Sequence, residues 1–88
     1  MRVKVLLFAR LREIAGQSAL SCDVAPGATI ADVWQAVAMA HPGLAPFGAA
    51  VSCARNEDFA RMQTPVKDED EIAFLPPVSG GALELIGS

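Results

Sequence analysis

Leu75-Pro76-Pro77-Val78-Ser79-Gly80-Gly81 is the stretch that most limits what this chain can become. Two adjacent prolines lack the N–H that a helix interior or a central strand needs, and each holds φ near −65°. An extended, polyproline-like segment is expected, one that costs little entropy to keep straight. Gly80 and Gly81 then clear the end of side chains, so that another molecule can approach the backbone closely. Fully extended, residues 76–81 reach about 20 Å. A stiff base with a bare tip suits an arm that enters a narrow channel.

The chain before the arm reads as strands around one main helix. Residues 2–9 put Val3, Val5 and Leu7 on one face and Leu6 and Phe8 on the other, which suggests an interior strand covered on both sides. Residues 10–15 form a helical turn or two with Leu11 and Ile14 at i, i+3, and Gly16 suits the left-handed position after it. Residues 19–24 alternate Leu20, Cys22 and Val24 against Ser21 and Asp23. Pro26-Gly27 sets a type II turn. Thr29 caps a helix over residues 30–40, with Asp32 completing a capping box and Ile30, Val33, Trp34 and Val37 on one stripe. His41-Pro42-Gly43 ends it. His41 reads as a structural residue compensating the helix dipole. Residues 44–48 read as a loop, 50–54 as a short strand, 55–58 as a turn and 59–62 as a second short strand. The acidic run Asp68 to Glu71 reads as a solvated turn, or as a steering patch for a basic partner. Glu71 to Leu75 is the last strand, with Ile72 and Phe74 on one face and Ala73 and Leu75 on the other. This order indicates an α+β fold.

With 88 residues, one domain is expected, and 52% hydrophobic content argues against disorder. No apolar run approaches the roughly 20 residues of a membrane span, and the opening reads as a strand and not as a signal peptide. A cytoplasmic protein without a membrane partner is the expectation. A net charge of −3 disfavours nucleic acid as a partner, since phosphates call for clustered Lys and Arg. Cys22 and Cys53 stand in separate strands without metal-ligand spacing. They read as two buried thiols, and a ferredoxin-like cluster, which wants about four Cys ligands, is excluded.

Residues 71–81, Glu71-Ile72-Ala73-Phe74-Leu75-Pro76-Pro77-Val78-Ser79-Gly80-Gly81, resemble the C-terminal signature of the small, sulfur-carrier subunits of molybdopterin synthase, which are ubiquitin-like β-grasp proteins. Residues 3–13 resemble the same family's first strand and short helix. The resemblance implies a β-grasp domain over 1–75, a mixed sheet of four to five strands packed on one main helix, with the first and last strands adjacent and parallel at its centre. The arm, 76–81, leaves from that last strand.

The resemblance also implies chemistry. A carboxylate is a poor electrophile until it is activated, here as an acyl-adenylate. The implied partners are an adenylating enzyme resembling ubiquitin-activating enzymes, which uses ATP, a sulfur donor protein, and the large synthase subunit. Gly81 would carry the thiocarboxylate, Gly80 would give clearance, and Pro76, Pro77, Val78 and Ser79 would position the tip. No bound cofactor or metal is implied, and the catalytic side chains would belong to the large subunit. The alternatives are a carrier for another pathway such as thiamin or tRNA thiolation, a ubiquitin-like modifier joined to lysines, and an interaction module that never uses its terminus.

Two features depart from the family pattern. Glu69 stands where the family often has Gly, and a left-handed Glu costs on the order of 1 kcal/mol, so a different turn is expected there. Residues 82–88 follow Gly81, and an amide at Gly81 leaves no free carboxylate to activate. Proteolytic trimming, an artefactual or fused extension, and a non-carrier role are the three readings.

Overall fold

The computed structural model describes residues 1–77; the expected site residues Val78, Ser79, Gly80 and Gly81, and the extension 82–88, lie outside the described residues. Along the chain run β1 (Arg2–Leu7), α1 (Ala9–Ala15), β2 (Ala19–Asp23), α2 (Ile30–Ala40), a 3-10 helix (Pro42–Phe47), β3 (Ser52–Arg55), β4 (Asp58–Ala60) and β5 (Glu71–Leu75). The five strands form one sheet in the order β2-β1-β5-β3-β4. β1 and β5 are parallel, and every other pair is antiparallel. The first and last strands are thus neighbours at the centre of a mixed sheet, as the β-grasp resemblance implies.

One face of this sheet makes the core. Val3, Val5 and Leu7 of β1, Ile72 and Phe74 of β5 and Cys53 of β3 are buried against Ile30, Val33, Trp34 and Val37 of α2. The edge of one aromatic ring meets the other where Trp34 packs on Phe74, with centroids 4.9 Å apart and planes at 64°, the geometry that aromatic quadrupoles favour. The helix is fixed at its start by Asp32, whose carboxylate accepts the Thr29 N–H at 2.9 Å. Two further first-turn donors are satisfied from the β4–β5 connection: Ile30 N–H reaches Thr64 O at 2.9 Å and Ala31 N–H reaches Met62 O at 2.8 Å. Gly16 (φ 78°) ends α1 as expected, and Gly27 (φ 88°) occupies the left-handed position of its turn.

The structure corrects several local expectations. The opposite face of β1 is not covered by the described residues: Leu6 is half-buried and Phe8 is 44% exposed. Residues 44–48 are not a plain loop, because Pro42 starts a 3-10 turn in which Leu44 N–H bonds His41 O at 2.9 Å. That turn buries Leu44 completely. The third strand begins at Ser52 because Ala50 and Val51 both donate to Phe47 O. The fourth stops at Ala60 because Arg61 N–H turns to Thr64 Oγ1 at 3.1 Å. Cys22 is half-buried and not fully buried. It lies on β2, with β1 and β5 between it and Cys53 on β3. Burial raises both thiol pKa values, with Asp23 adding to the effect at Cys22.

The acidic turn is the largest correction. Asp70 is 6% exposed and is no solvated charge. Its carboxylate accepts hydrogen bonds from Arg55 Nε at 2.6 Å, Asn56 Nδ2 at 3.0 Å and the Lys67 N–H at 2.7 Å. Glu69 keeps the left-handed conformation (φ 71°) despite its side chain. It is held by its N–H to Arg2 O at 2.8 Å and by the Arg2 N–H to Asp68 Oδ1 at 2.8 Å. The strain, about 1–2 kcal/mol, is tolerated because the same turn satisfies Asp70.

Burial alone would push the Asp70 carboxyl up, but hydrogen bonds from Arg55, Asn56 and Lys67 and the Arg55 charge outweigh it and hold the group below the usual range. A carboxyl lowered in the folded state contributes stability above its unfolded pKa of about 3.9 and loses it as pH falls through the folded value. Asp70→Asn is expected to cost about 2–3 kcal/mol at pH 7. This is less than the ~3–5 of a fully buried pair, because the Arg55 side chain remains 30% exposed. Urea unfolding across pH should show the gap between wild type and variant constant near neutrality and closing below about pH 4. A gap that does not change with pH would refute the assignment.

Candidate functional site at the root of the arm

Because strand side chains alternate, the residues of β5 that do not enter the core face the other way. Register places them in rows across the outer face of the sheet. Leu6 of β1 pairs with Ala73 of β5, Ala73 with Ala54 of β3, and Ala54 with Phe59 of β4. Two alanines between a leucine and a phenylalanine make a shallow trough. Leu75 and Phe8 extend it toward the end where β5 leaves the sheet, with Glu57 and Glu71 on its border. The depression measures about 340 Å³. Phe59 is 87% exposed and Phe8 44%. Two large aromatic surfaces are thus left in water on this face, the kind of apolar patch that contact surfaces share.

The same face changes character toward the start of β1 and β5. There Lys4 stands 3.9 Å from Glu71 and Arg2 3.2 Å from Asp23. These pairs are exposed and worth little stability, but they divide the outer face into an apolar half at the exit and a charged half away from it. Since β1 and β5 are parallel, their C-terminal ends share one side of the sheet. The apolar half therefore surrounds the root of the arm.

Of the expected site residues, Pro76 is half-buried at that root and Pro77 is exposed just beyond it. The sequence reading missed Leu6, Phe8 and Phe59 as surface residues. Apolar residues on both faces of β1 were the signal, and they point equally to a second layer of the same chain or to a partner. His41 closes α2 through its N–H to Val37 O at 2.9 Å, and its Nε2 lies 3.4 Å from Gln17 Nε2, a structural setting. Among the described residues there is no group of three His, Cys, Asp or Glu side chains placed to hold a metal. No helix is long and apolar enough to cross a membrane among them. What the arrangement offers chemically is a chain exit rooted in the central strand of a sheet and flanked by an exposed apolar surface.

The model of the ThiS family matches residues 5–81. The molybdopterin synthase sulfur carrier subunit of Chlamydomonas reinhardtii is 37% identical over 83 residues, covering 92% of this chain and all of that protein. Among solved structures, SAMP1 from Haloferax volcanii superposes with a TM-score of 0.82 at 34% identity, covering 92% of this chain and 100% of that one. The complex of subunits 1 and 2 of the molybdopterin-converting factor from Helicobacter pylori contains a chain that superposes with a TM-score of 0.62 at 27% identity, covering 92% of this chain and 100% of that one.

If Phe59 serves a partner and not the fold, Phe59→Ala should change unfolding free energy by under about 0.5 kcal/mol. Phe74→Ala, on the same sheet but facing inward, should cost about 3–5 kcal/mol. Urea denaturation of both variants checks this, and a large loss from Phe59→Ala would return that residue to the core.

Proposed function

The chain belongs to the ThiS family, and on that premise we propose that it is a sulfur carrier, the small subunit of a molybdopterin synthase. The observation that carries the reading is the continuity of a buried central strand, Glu71–Leu75, with Pro76-Pro77 and then Gly80-Gly81, beside an exposed apolar face. An adenylating enzyme joins the Gly81 carboxylate to AMP from ATP, releasing pyrophosphate. Sulfide-level sulfur released by a donor then attacks the acyl carbon; the C–S bond forms as the C–O bond to AMP breaks, leaving a thiocarboxylate and free AMP. The prolines stiffen the start of the arm, and Gly80 and Gly81 bring no β-carbon to obstruct either active site. The loaded arm enters the large subunit, whose side chains carry out transfer to the pyranopterin precursor. The Helicobacter pylori complex supports a partner of that kind, and the trough around Phe59 and Phe8 supplies an apolar surface for it.

The carrier role requires a free carboxylate at Gly81. Hydrolysis of the Gly81–Ala82 peptide bond supplies it, so a peptidase step precedes adenylation in this reading. A second reading, a ubiquitin-like modifier, is favoured by the likeness to the small archaeal modifier protein. It uses the same activated Gly81 but ends in an isopeptide bond to lysine.

Intact mass spectrometry of the chain recovered from its own cells, where peptidase, adenylating enzyme and sulfur donor are all available, separates these. The carrier predicts a species ending at Gly81 and heavier than the free acid by the difference between sulfur and oxygen. Gly-Gly remnants on the lysines of other proteins would favour the modifier. Recovery of nothing but the unprocessed, unmodified chain would contradict both.

A further inference from the structure

Asp70 is a buried carboxylate that the carrier chemistry does not use, and two of the three hydrogen bonds it accepts come from the hairpin that bears Phe59. We infer that Asp70 is a positioning residue for partner docking: it fixes the β3–β4 hairpin and, through it, the pose of Phe59. This deepens the reading of the trough as a docking face and rests on it.

β3 is paired along β5 and buries Cys53, but the outer strand and the turn of the hairpin have less to hold them. β4 contributes three residues and pairs with β3 alone at the sheet edge. Its two-residue turn, Asn56-Glu57, has φ of 50° and 76°. That is the pattern of a type I′ turn, which glycine or asparagine normally fills. A left-handed Glu57 adds strain that must be opposed elsewhere. Phe59 faces outward and gains almost no packing of its own.

Opposing the strain is a clamp between the turn and the start of β5. Arg55 Nε and Asn56 Nδ2 donate to Asp70 at 2.6 and 3.0 Å. Asn56 N–H donates to Glu71 O at 2.8 Å, and Glu71 N–H donates to Asn56 Oδ1 at 2.9 Å. Lys67 N–H, at 2.7 Å, ties the preceding turn to the same carboxylate. Four bonds thus join the hairpin turn to the residues that open the strand leading to the arm. They brace the turn of the hairpin whose ladders set Phe59 beside Ala54 and Ala73, on the row that forms the trough. A residue that supported the fold alone would leave affinity unchanged wherever the variant is folded. A residue that poses Phe59 would act only while Phe59 is present.

The test is a double-mutant cycle with the large synthase subunit as the probe, at a temperature where thermal melts show every variant folded. Asp70→Asn should raise Kd about tenfold, and in a Phe59→Ala background it should add nothing. Unchanged affinity in the folded Asp70→Asn protein, or an equal loss with and without Phe59, would overturn the inference. If Asp70→Asn does not fold, Arg55→Gln weakens the clamp from the hairpin side and should give a smaller loss with the same dependence on Phe59. Amide exchange in the isolated chain gives a readout free of the partner. The clamp-weakened variant should lose protection at Asn56 and Glu71 and shift the Phe59 ring resonances, while Val3 and Val5 keep their protection. Unaltered protection at Asn56 and Glu71 would refute the clamp itself. Failure of the wild-type chain to bind the large subunit would count against the proposed function, and the exchange result would still decide the clamp.

Discussion

Parallel pairing of the first and last strands is the constraint on which the rest depends. Lys4 to Leu7 lie against Glu71 to Phe74 in one register, with β2 and β3 closing the outer sides of the pair. A strand held on both flanks and buried beneath a helix opens only when the domain opens. The arm that follows is therefore rooted in the most stable part of the chain, although it lies near the end of the sequence. Parallel direction has a second consequence: the C-terminal ends of β1 and β5 emerge together. Phe8, at the end of one, stands beside Leu75, at the end of the other, and the apolar trough and the chain exit coincide.

A one-residue alternation divides the labour. Ile72 and Phe74 are fully buried beneath α2, while Ala73 and Leu75 between and beyond them look outward. Small residues at Ala54 and Ala73 keep the outer face shallow, and Phe59 and Leu6 bound it. Among the described residues four non-glycine residues have positive φ: Ala9, at the start of α1, and three near the Asp70 clamp, Asn56, Glu57 and Glu69. The last three lie in the two turns that meet at Asp70. The buried charge and the strained backbone thus support each other: the turns bring donors to the carboxylate, and the carboxylate holds the turns.

Much of this was legible in the chain. Alternation in Glu71–Leu75, the Thr29/Asp32 cap, the α2 stripe and the glycines at 16 and 27 each have a local cause, and each is found where local physics puts it. The parallel centre came from family resemblance, because periodicity cannot say which strands pair. Asp70 was hidden inside a run of four acids that looks uniformly solvated; only the tertiary fold brings Arg55 and Asn56 to one of them. The open face was hidden for a different reason. Leu6 and Phe8 look like core residues in sequence, and what distinguishes a covered face from a docking face is a neighbour that belongs to another chain. The 3-10 turn at Pro42–Phe47 was lost among proline and glycine signals that mark any loop. The tip of the arm, Val78 to Gly81, was read from sequence alone.

The proposed carrier role requires a terminal carboxylate at Gly81. ATP–pyrophosphate exchange catalysed by the cognate adenylating enzyme measures that step directly, with the chain ending at Gly81 compared against the chain ending at Ser88. A carrier of this kind gives exchange that saturates with the shorter chain and is absent with the longer one. Equal exchange with both, or none with the chain ending at Gly81, would contradict it.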